Sequence, residues 1–285
     1  MNLIDFRKDF INGLGYLYAG GEIDALFARL VNERLNLQPH QWRGAIAFSL
    51  NDGDYALLKD DLQRLSTGEP LQYILGYEWF NDLKIGVGPG VLIPRPETGE
   101  MAAMAADRLG ASKPVILDVC TGSGCIALYL RHRFPSSEVF GTDVSAAALE
   151  VAVKNAASTG LEVRFYEQDV LEIGDESPLL GKEADLLISN PPYVLEREMK
   201  SLHPNVVEHE PHSALFVPDD DPLLFYKAIA GLGNRVLKPG GMLWFETGKS
   251  LTASLADLLC SEGYVAIEVI SDLSGSERFV AAGRP

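Results

Sequence analysis

The stretch "PVILDVCTGSGCIAL", residues 114–128, joins a short apolar strand to an apolar helix through a turn that holds two glycines. Gly122 and Gly124 let the backbone of this turn approach a ligand closely, and the first turn of the following helix favours anionic groups. Such a strand, turn and helix are typical of α/β folds in which ligands bind at the carboxyl ends of the strands. The stretch therefore predicts a cofactor site directly after Val119.

The alternation of strand and helix continues along the chain. Strand patterns occur at residues 114–119, 138–143, 162–168, 184–189 and 241–246. Helical patterns occur at about residues 97–109, 124–133, 145–158, 222–236 and 249–261. Apolar strands that alternate with helices form a parallel sheet covered on both faces. We predict an α/β, Rossmann-like domain whose mostly parallel sheet ends in an antiparallel C-terminal edge, formed by "YVAIEVI" (264–270) and "RFVAAG" (278–283).

The first third of the chain has a different pattern. Apolar residues at helical spacing, such as Ile23, Phe27 and Leu30, predict a small helical bundle over residues 1–70. Residues 71–95 contain short aromatic and β-branched stretches broken by glycines, a pattern that predicts a β-hairpin linker. We assign the α/β domain to residues 96–285.

The net charge argues against one class of substrate. The chain carries 24 basic and 40 acidic side chains, a formal charge of −16. Residues 1–85 carry 8 basic and 12 acidic side chains, and residues 86–285 carry 16 and 28, so neither part is basic. Because affinity for nucleic acid depends on clustered lysine and arginine, we do not expect nucleic acid as the main substrate. A basic protein partner would be attracted.

Cysteine, histidine and apolar patterns restrict the other possibilities. The three cysteines lack the spacing of a zinc site, and the histidines at 203, 209 and 212 lie in a proline-rich loop, so we predict no metal. No apolar run reaches about 18 residues, the length that a membrane helix needs. The first ten residues carry charges where a signal peptide needs an apolar stretch. We predict a reduced, cytoplasmic protein with no membrane segment.

Asp118 bears on the choice of cofactor. Read as Gly122-x-Gly124-x-x-Ala127, the turn also matches a dinucleotide fingerprint, so the glycines alone leave NAD open. A carboxylate at Asp118 would repel a pyrophosphate but would pair with an ammonium group, such as the amino-acid end of S-adenosylmethionine. Its alternative role is structural, as a carboxylate that holds the turn.

Acidic residues also follow the next two strands. Asp143, after the second strand, is placed to accept hydrogen bonds from two ribose hydroxyls, which suits NAD and S-adenosylmethionine equally. Helix capping is the alternative role for Asp143, although Ser145 could provide the cap instead. After the third strand, Asp169 could meet an adenine amine and Val170 could cover the adenine ring.

The stretch "SNPPYV", residues 189–194, ends the fourth strand and distinguishes the cofactors. Two prolines fix φ, remove two donors and leave their carbonyls as acceptors, as they would also do in a stiff turn or a polyproline ligand. Methyl transfer onto a planar NH2 group needs acceptors that orient its N–H bonds, and a nicotinamide enzyme does not. We assign catalysis to Asn190, Pro191 and Tyr193, with Tyr193 stacking on the substrate and Pro192 completing its site.

Longer motifs surround the tetrapeptide "NPPY". They are "ILDVCTGSG" (116–124), "GEPLQYILGYEWF" (68–80), "GVLIPRPET" (90–98), "EPHSALF" (210–216) and "LKPGGMLWFETG" (237–248). With "NPPY" (190–193), the chain resembles the class I S-adenosylmethionine-dependent methyltransferases that act on planar amino nitrogens. From about residue 68 onward it resembles the peptide chain release factor glutamine-N5 methyltransferases, the HemK/PrmC family.

The resemblance implies a cofactor, a substrate and a set of contacts. The cofactor is S-adenosylmethionine, and the target is the side-chain nitrogen of the glutamine in the Gly-Gly-Gln motif of a bacterial release factor. The resemblance implies cofactor contacts at Cys120, Thr121, Gly122, Ser123, Gly124, Asp143, Val170 and Asn190. It also implies that Asn190, Pro191, Pro192 and Tyr193 hold the glutamine, that "IPRPET" (93–98) borders the substrate channel and that the N-terminal bundle docks the release factor.

Two other functions remain open at this level. Enzymes that methylate adenine-N6 or guanine-N2 in nucleic acid share the tetrapeptide, and a non-catalytic binding module could retain the fold. We expect a monomeric enzyme that modifies a protein.

Three sites depart from the family pattern, one of them at Lys249 and Ser250 after the glycine of "ETG", where we expect a surface difference. Cys120 stands where the family usually has the first glycine of the turn, which we expect to be tolerated through a negative φ. Gly99 replaces a usual glutamate after "PET", and Glu100 follows it, so the register at the start of that helix is open.

Overall fold

The structure, a computed structural model, describes residues 2–43 and 48–285. The chain divides into two compact units. Unit 1 comprises Met1–Gly76 and His203–His209, and unit 2 comprises Tyr77–Leu202 and Glu210–Pro285. Within the described ranges, no helix is both long and apolar enough to cross a membrane. No group of three or more His, Cys, Asp or Glu side chains among these residues is placed to hold a metal ion.

Unit 1 is helical. Its helices before residue 77 are α1 (Leu3–Leu14), α2 (Gly20–Leu35), α3 (Pro39–Arg43), α4 (Asp52–Ser66) and α5 (Leu71–Leu75). Helix α1 begins where the Asn2 side chain accepts a hydrogen bond from the Asp5 backbone N–H, at 2.8 Å. The rings of Phe10 and Trp42 both pack edge-on against Phe27, with centroids 5.2 Å apart in each pair. The helical spacing that included Phe27 therefore marks the core of this unit.

The segment Leu71–Leu75 is helical, so the prediction of extended structure there is wrong. Leu71 and Ile74, three residues apart, both pack into the core of unit 1, which is helical spacing. Gly76 ends the helix with a φ of 80°, a conformation that glycine adopts without steric cost. The hairpin is correspondingly shorter than predicted, with β1 (Tyr77–Phe80) antiparallel to β2 (Leu83–Gly86).

The helices and strands that the sequence predicted after residue 95 begin and end close to the predicted residues, and three short elements, Val194–Leu195, Pro204–His209 and Phe216–Val217, were not predicted. In chain order they are α6 (Pro96–Arg108), β3 (Val115–Val119), α7 (Cys125–Arg133), β4 (Glu138–Asp143), α8 (Ala146–Thr159), β5 (Arg164–Glu167), β6 (Ala184–Ser189), β7 (Val194–Leu195), α9 (Pro204–His209), β8 (Phe216–Val217), α10 (Leu224–Val236), β9 (Leu237–Glu246), α11 (Thr252–Ser261), β10 (Val265–Ser271) and β11 (Glu277–Gly283). Helix α9 belongs to unit 1. Strand β9 is longer than predicted because "LKPGG" is part of it.

Seven strands of unit 2 form one sheet in the order β10-β11-β9-β6-β3-β4-β5. Strands β9, β6, β3, β4 and β5 are parallel to one another, and β11 runs antiparallel to β9 and β10. The predicted mostly parallel sheet with an antiparallel C-terminal edge is confirmed, and β11 lies one strand in from that edge. Because β4 and β6 lie on opposite sides of β3, the strand order reverses there, which opens a crevice at the carboxyl ends of β3 and β6.

The side chain of Asn155, on α8, connects the hairpin to the glycine turn. Its Oδ1 accepts from the Gly86 N–H at 2.8 Å, and its Nδ2 donates to the carbonyls of Gly86 at 3.0 Å and Ser123 at 2.9 Å. The side chain is buried, so these three hydrogen bonds satisfy polar atoms that water does not reach. The position of the turn therefore depends on a residue more than 30 positions away.

Candidate active site

A cavity of about 290 Å³ lies where β3, β4 and β6 end. Eight of the ten residues predicted to bind the cofactor line it: Cys120, Thr121, Gly122, Ser123, Asp143, Asp169, Val170 and Asn190. Gly124 and Asp118 do not line it. The structure thus brings together side chains that follow four different strands, and their contacts with a cofactor stay a prediction.

Gly124 serves the packing of the turn rather than the wall of the cavity. Its φ is 80°, and a Cβ there would lie 3.1 Å from both the Ala152 side chain and the Phe165 ring. A side chain at this position would be strained and would also press on α8 and β5. The glycine lets the first turn of α7 lie close to these two elements.

Cys120 has a φ of 60°, so the expectation of a negative φ is wrong. The left-handed conformation costs a residue with a Cβ roughly 1–2 kcal/mol, a cost that the usual glycine avoids. The Cys120 side chain packs against the main hydrophobic core of unit 2, which offsets part of this cost. Burial raises the pKa of the thiol, with the charges of Asp143 and Asp118 acting in the same direction, so the thiol stays protonated.

The Asp143 carboxylate holds the glycine turn and the start of α8. Its two oxygens accept from the backbone N–H groups of Gly122 and Ser145, each at 2.9 Å. Ser145 in turn caps α8 by accepting from the Ala148 N–H at 3.2 Å. Burial raises the pKa of Asp143, opposed by hydrogen bonds from the backbone. Since each carboxylate oxygen can accept two hydrogen bonds, Asp143 keeps capacity for hydroxyl donors from the cavity.

Asp118 lies under the turn instead of in the cavity wall. Its Oδ2 accepts from the Thr121 hydroxyl and from the Ala127 N–H, and the residue is only 1% exposed. Burial raises its pKa to about 7. This is the structural role that the sequence left as the alternative. The Oδ1 atom is buried without a hydrogen-bond partner among the described residues, and its pairing with an ammonium group stays a prediction.

Asp169 and Val170 follow β5 as the sequence predicted. Asp169 Oδ1 accepts from the Leu171 N–H at 2.8 Å, and the Val170 side chain is buried at the cavity wall. An apolar wall beside a carboxylate is suited to a flat ring that carries an amine.

The tetrapeptide of residues 190–193 divides between the cavity and the core. Asn190 and Pro192 line the cavity, whereas Pro191 and Tyr193 do not. The Tyr193 ring packs against the main core, and its hydroxyl donates to Glu246 Oε1 at 3.3 Å. The stacking of Tyr193 on a substrate therefore stays a prediction, and this position gives it no support.

Asn190 is held through Thr98 to Glu246. Its Nδ2 donates to the Thr98 hydroxyl at 3.1 Å, and that hydroxyl donates to Glu246 Oε2 at 2.6 Å. Asn190 Oδ1 is buried without a hydrogen-bond partner among the described residues. Thr98 and Glu246 both stand in motifs noted above, "GVLIPRPET" and "LKPGGMLWFETG", but the sequence predicted only that the segment of Thr98 borders the substrate channel and predicted no role for Glu246.

Glu246 ends β9 with its carboxylate inside the protein. Its exposure is 1%, and burial raises its pKa to about 7, against the opposing effects of the Thr98 hydrogen bond and of Arg278. The Tyr226 phenol donates to the Glu246 carbonyl at 3.0 Å and fixes the end of the strand. A carboxyl group that titrates near neutral pH therefore lies two hydrogen bonds from Asn190.

A second buried carboxylate holds the "IPRPET" segment at the cavity. Glu210 accepts from the Ile93 N–H at 3.0 Å and forms an ion pair with Arg95, which lines the cavity. Glu210 is 4% exposed and opens the motif "EPHSALF". Two of the noted motifs are thus joined by one side chain.

The structure also answers the question of register at Gly99. Helix α6 begins at Pro96 with Arg95 as its N-cap residue, and Gly99 and Glu100 both lie within it. A Cβ at Gly99 would lie 2.8 Å from Asn81 Oδ1, at the tip of the hairpin, and Asn81 donates to the Gly99 carbonyl at 3.3 Å. Glycine at this position leaves room for the hairpin.

Known proteins match both the sequence and the fold. The "Methyltransferase small domain" family matches residues 101–212. A Bacteroides thetaiotaomicron protein named release factor glutamine methyltransferase is 40% identical over 80% of each chain. A Flavobacterium psychrophilum protein of the same name is 34% identical over 98% of each chain. The chain belongs to the release factor glutamine methyltransferase family.

The fold agrees with this membership. A Pyrococcus furiosus methyltransferase of known crystal structure aligns with a TM-score of 0.54, covering 79% of this chain and 98% of that chain at 16% identity, which shows a shared fold alone. The predicted resemblance and fold class are confirmed. This member of the release factor glutamine methyltransferase family is an S-adenosylmethionine-dependent methyltransferase.

The residues of this family member fit S-adenosylmethionine. Ser123 Oγ and Asn190 Oδ1 are buried atoms of cavity-lining residues, and neither has a hydrogen-bond partner among the described residues. Asp143 and Asp169 add carboxylates, and Val170 adds an apolar wall. Polar atoms that are buried without partners are costly, and a ligand with matching groups would satisfy them.

Proposed function

We propose that this enzyme methylates the side-chain amide nitrogen, N5, of the glutamine in the Gly-Gly-Gln motif of bacterial peptide chain release factors. The observation that carries the proposal is the Asn190 carboxamide, whose Nδ2 is bonded to Thr98 and whose Oδ1 has no partner among the described residues. A fixed, buried acceptor without a partner among the described residues, on a side chain that lines the cavity, suits an N–H donor of a planar amide. The name of the two relatives supports the choice of glutamine.

The chemistry asks the protein for orientation more than for a base. The lone pair of an amide nitrogen is delocalised, so the nitrogen attacks poorly until its N–H bonds are held by acceptors. Asn190 Oδ1 would be one acceptor, and we assign the second to the carbonyl of Pro191, in a backbone made rigid by two prolines, although Pro191 does not itself line the cavity. S-adenosylmethionine, when bound, supplies an electrophilic methyl group on a sulfonium. The amide proton can leave after methylation, so no strong base is required.

The cofactor side of the cavity is assigned to the turn and to the acidic strand ends. Asp143 would accept ribose hydroxyls, Val170 would cover the adenine ring, and Asp169 would meet its amine. Cys120 to Gly122 would contribute backbone groups, and Ser123 Oγ is a further buried atom without a partner among the described residues. Asp118, under the turn, would attract the ammonium end electrostatically.

Unit 1 is assigned to docking the release factor. The unit is compact, most of it precedes the methyltransferase fold in the chain, and acidic residues outnumber basic ones in the first 85 residues. An acidic surface attracts a basic protein and repels nucleic acid. We expect a monomeric enzyme whose affinity for release factor depends on this unit.

One experiment separates the proposal from methylation of adenine or guanine. The enzyme is incubated with S-adenosylmethionine labelled in its methyl group and with release factor, RNA or DNA. We expect label in release factor and none in a control release factor whose Gly-Gly-Gln glutamine is replaced by alanine. Label in nucleic acid alone, or equal label in the control protein, would contradict the proposal.

A further inference from the structure

Three polar side chains from separate parts of unit 2 form a continuous series of hydrogen bonds that runs from Asn190 and Thr98 at the cavity wall to Glu246 in the interior. Asn190 follows β6, Thr98 lies in the first turn of α6, and Glu246 ends β9. The donor–acceptor distances are 3.1 Å from Asn190 Nδ2 to Thr98 Oγ1 and 2.6 Å from Thr98 Oγ1 to Glu246 Oε2. Thr98 is 3% exposed and Glu246 is 1% exposed, so water does not compete for these groups.

The number of protons in this series fixes the direction of each hydrogen bond. An ionised carboxylate only accepts, so the single hydroxyl proton of Thr98 is committed to Glu246. The Thr98 oxygen can then only accept from Asn190, and Nδ2 is the only donor of that side chain. A flipped carboxamide would place Oδ1 against an oxygen with no proton to share. The series therefore orients a group whose oxygen and nitrogen are otherwise interchangeable.

We propose that Thr98 and the ionised Glu246 are positioning residues that turn Asn190 Oδ1, and not Nδ2, toward the nitrogen to be methylated. This inference rests on the proposed function, because the orientation matters only when Asn190 accepts an N–H bond of a planar amide. A flipped Asn190 would present a donor to that N–H group and would repel it. Thr98 and Glu246 act through Asn190 and leave the contact with substrate to it.

Protonation of Glu246 removes this constraint. A protonated carboxyl can donate to Thr98, which frees the Thr98 proton to point at Asn190 and permits the flipped carboxamide. The groups that face Glu246 are Thr98 and Glu97 from α6, Cys125 from α7, Tyr193 after β6, Tyr226 from α10 and Arg278 from β11. Arg278 favours the ionised form, whereas Glu97 and burial favour the protonated form, so that the pKa lies at about 7. Turnover should therefore fall as the pH is lowered through about 7.

The test uses the full chain, release factor and labelled S-adenosylmethionine. Thr98→Val keeps the shape of the side chain and removes the hydroxyl, whereas Thr98→Ser keeps the hydroxyl. We expect kcat to fall at least tenfold in Thr98→Val and to stay within about threefold of wild type in Thr98→Ser. The Kd for S-adenosylmethionine, measured by calorimetry, should change less than about threefold in both.

The pH profile gives a second measurement that does not depend on the Thr98 variants. Wild-type kcat should rise between pH 6 and pH 8, whereas Glu246→Gln, which cannot ionise, should have a lower kcat that does not change over this range. This measurement decides the matter if Thr98→Val fails to fold.

Opposite results would overturn the inference separately from the proposed function. Three results would each reject the inference while label still enters release factor. They are a wild-type kcat in Thr98→Val, equal losses of kcat in the valine and serine variants, and the same pH profile in wild type and Glu246→Gln. If the wild-type enzyme transfers no label to release factor, that result would reject the proposed function and this inference together.

Discussion

The two ends of the cavity are constructed differently. At the cofactor end, the glycine turn is held by Asp118 and Asp143, which lie within about 20 residues of it in the chain. At the reaction end, Asn190 is held by Thr98, which lies 92 positions away in the chain. Thr98 is held in turn by Glu246, which lies 148 positions from Thr98. The cofactor end is thus organised largely by local sequence, and the reaction end only when α6, β6 and β9 are assembled. Substitutions at the reaction end should consequently change kcat, and substitutions at the cofactor end should change the affinity for S-adenosylmethionine.

The largest effect is expected at the reaction end. Asn190→Ala removes the oriented acceptor, so kcat should fall about 10²–10³-fold, which is the loss that follows removal of one preorganised group from other active sites. The Kd for S-adenosylmethionine should rise much less, because most cofactor contacts lie on the turn. Steady-state kinetics and calorimetry measure the two quantities, and equal losses in both would show that Asn190 serves the cofactor alone.

A smaller effect is expected at the cofactor end. Asp143→Asn leaves one oxygen to serve two backbone donors and any hydroxyl of the cofactor, so affinity for S-adenosylmethionine should fall about tenfold, or about 1.4 kcal/mol. At saturating cofactor kcat should stay within about threefold of wild type. Asp257→Asn, which removes the same charge from an exposed position on α11, is the control. A change in kcat without a change in affinity would contradict the division between the two ends.

Substitutions that disturb the packing beneath the glycine turn should change the stability of the protein. A Cβ at Gly141, on β4, would lie 2.6 Å from the Phe165 ring and 3.0 Å from the Thr121 hydroxyl, so Gly141→Ala should lower the free energy of unfolding by about 1–3 kcal/mol. Gly231→Ala is the matched control, because a Cβ there, within α10, meets no atom within 4 Å and should stabilise by up to about 1 kcal/mol. Urea denaturation compares them, and equal shifts in both variants would show that the space at Gly141 does not matter.

The smallest effect is expected at Cys120. Cys120→Gly relieves the cost of the left-handed conformation but gives the unfolded chain more freedom and loses the packed sulfur, so stability should change by less than about 1 kcal/mol. Cys120→Ala keeps the strained conformation and also loses the sulfur, and it should be less stable than Cys120→Gly. Denaturation curves in which the alanine variant is the more stable would show that φ at this position carries no cost.

The sequence predicted the cofactor end of the cavity better than the reaction end. The strands, the glycine turn and the acidic strand ends were predicted because each is visible as a short run of adjacent residues, although Asp143 and Asn155, which hold the turn, lie farther along the chain. The prediction of extended structure at Leu71–Leu75 was wrong because its aromatic and branched residues favour strands, while burial of Leu71 and Ile74 in the bundle favours a helix. The prediction of a negative φ at Cys120 was wrong because the sequence does not show how the turn is packed. Thr98 and Glu246 were in noted motifs, but only the folded chain brings them to Asn190.

A crystal structure with a cofactor analogue and a glutamine-containing release factor peptide tests the orientation of Asn190 most directly. At a resolution near 1.2 Å, where oxygen and nitrogen can be told apart, Asn190 Oδ1 should lie about 2.7–3.2 Å from the glutamine nitrogen, with Nδ2 still on Thr98. A glutamine nitrogen bound elsewhere, or Asn190 turned with Nδ2 toward the substrate, would contradict the proposed role of this side chain.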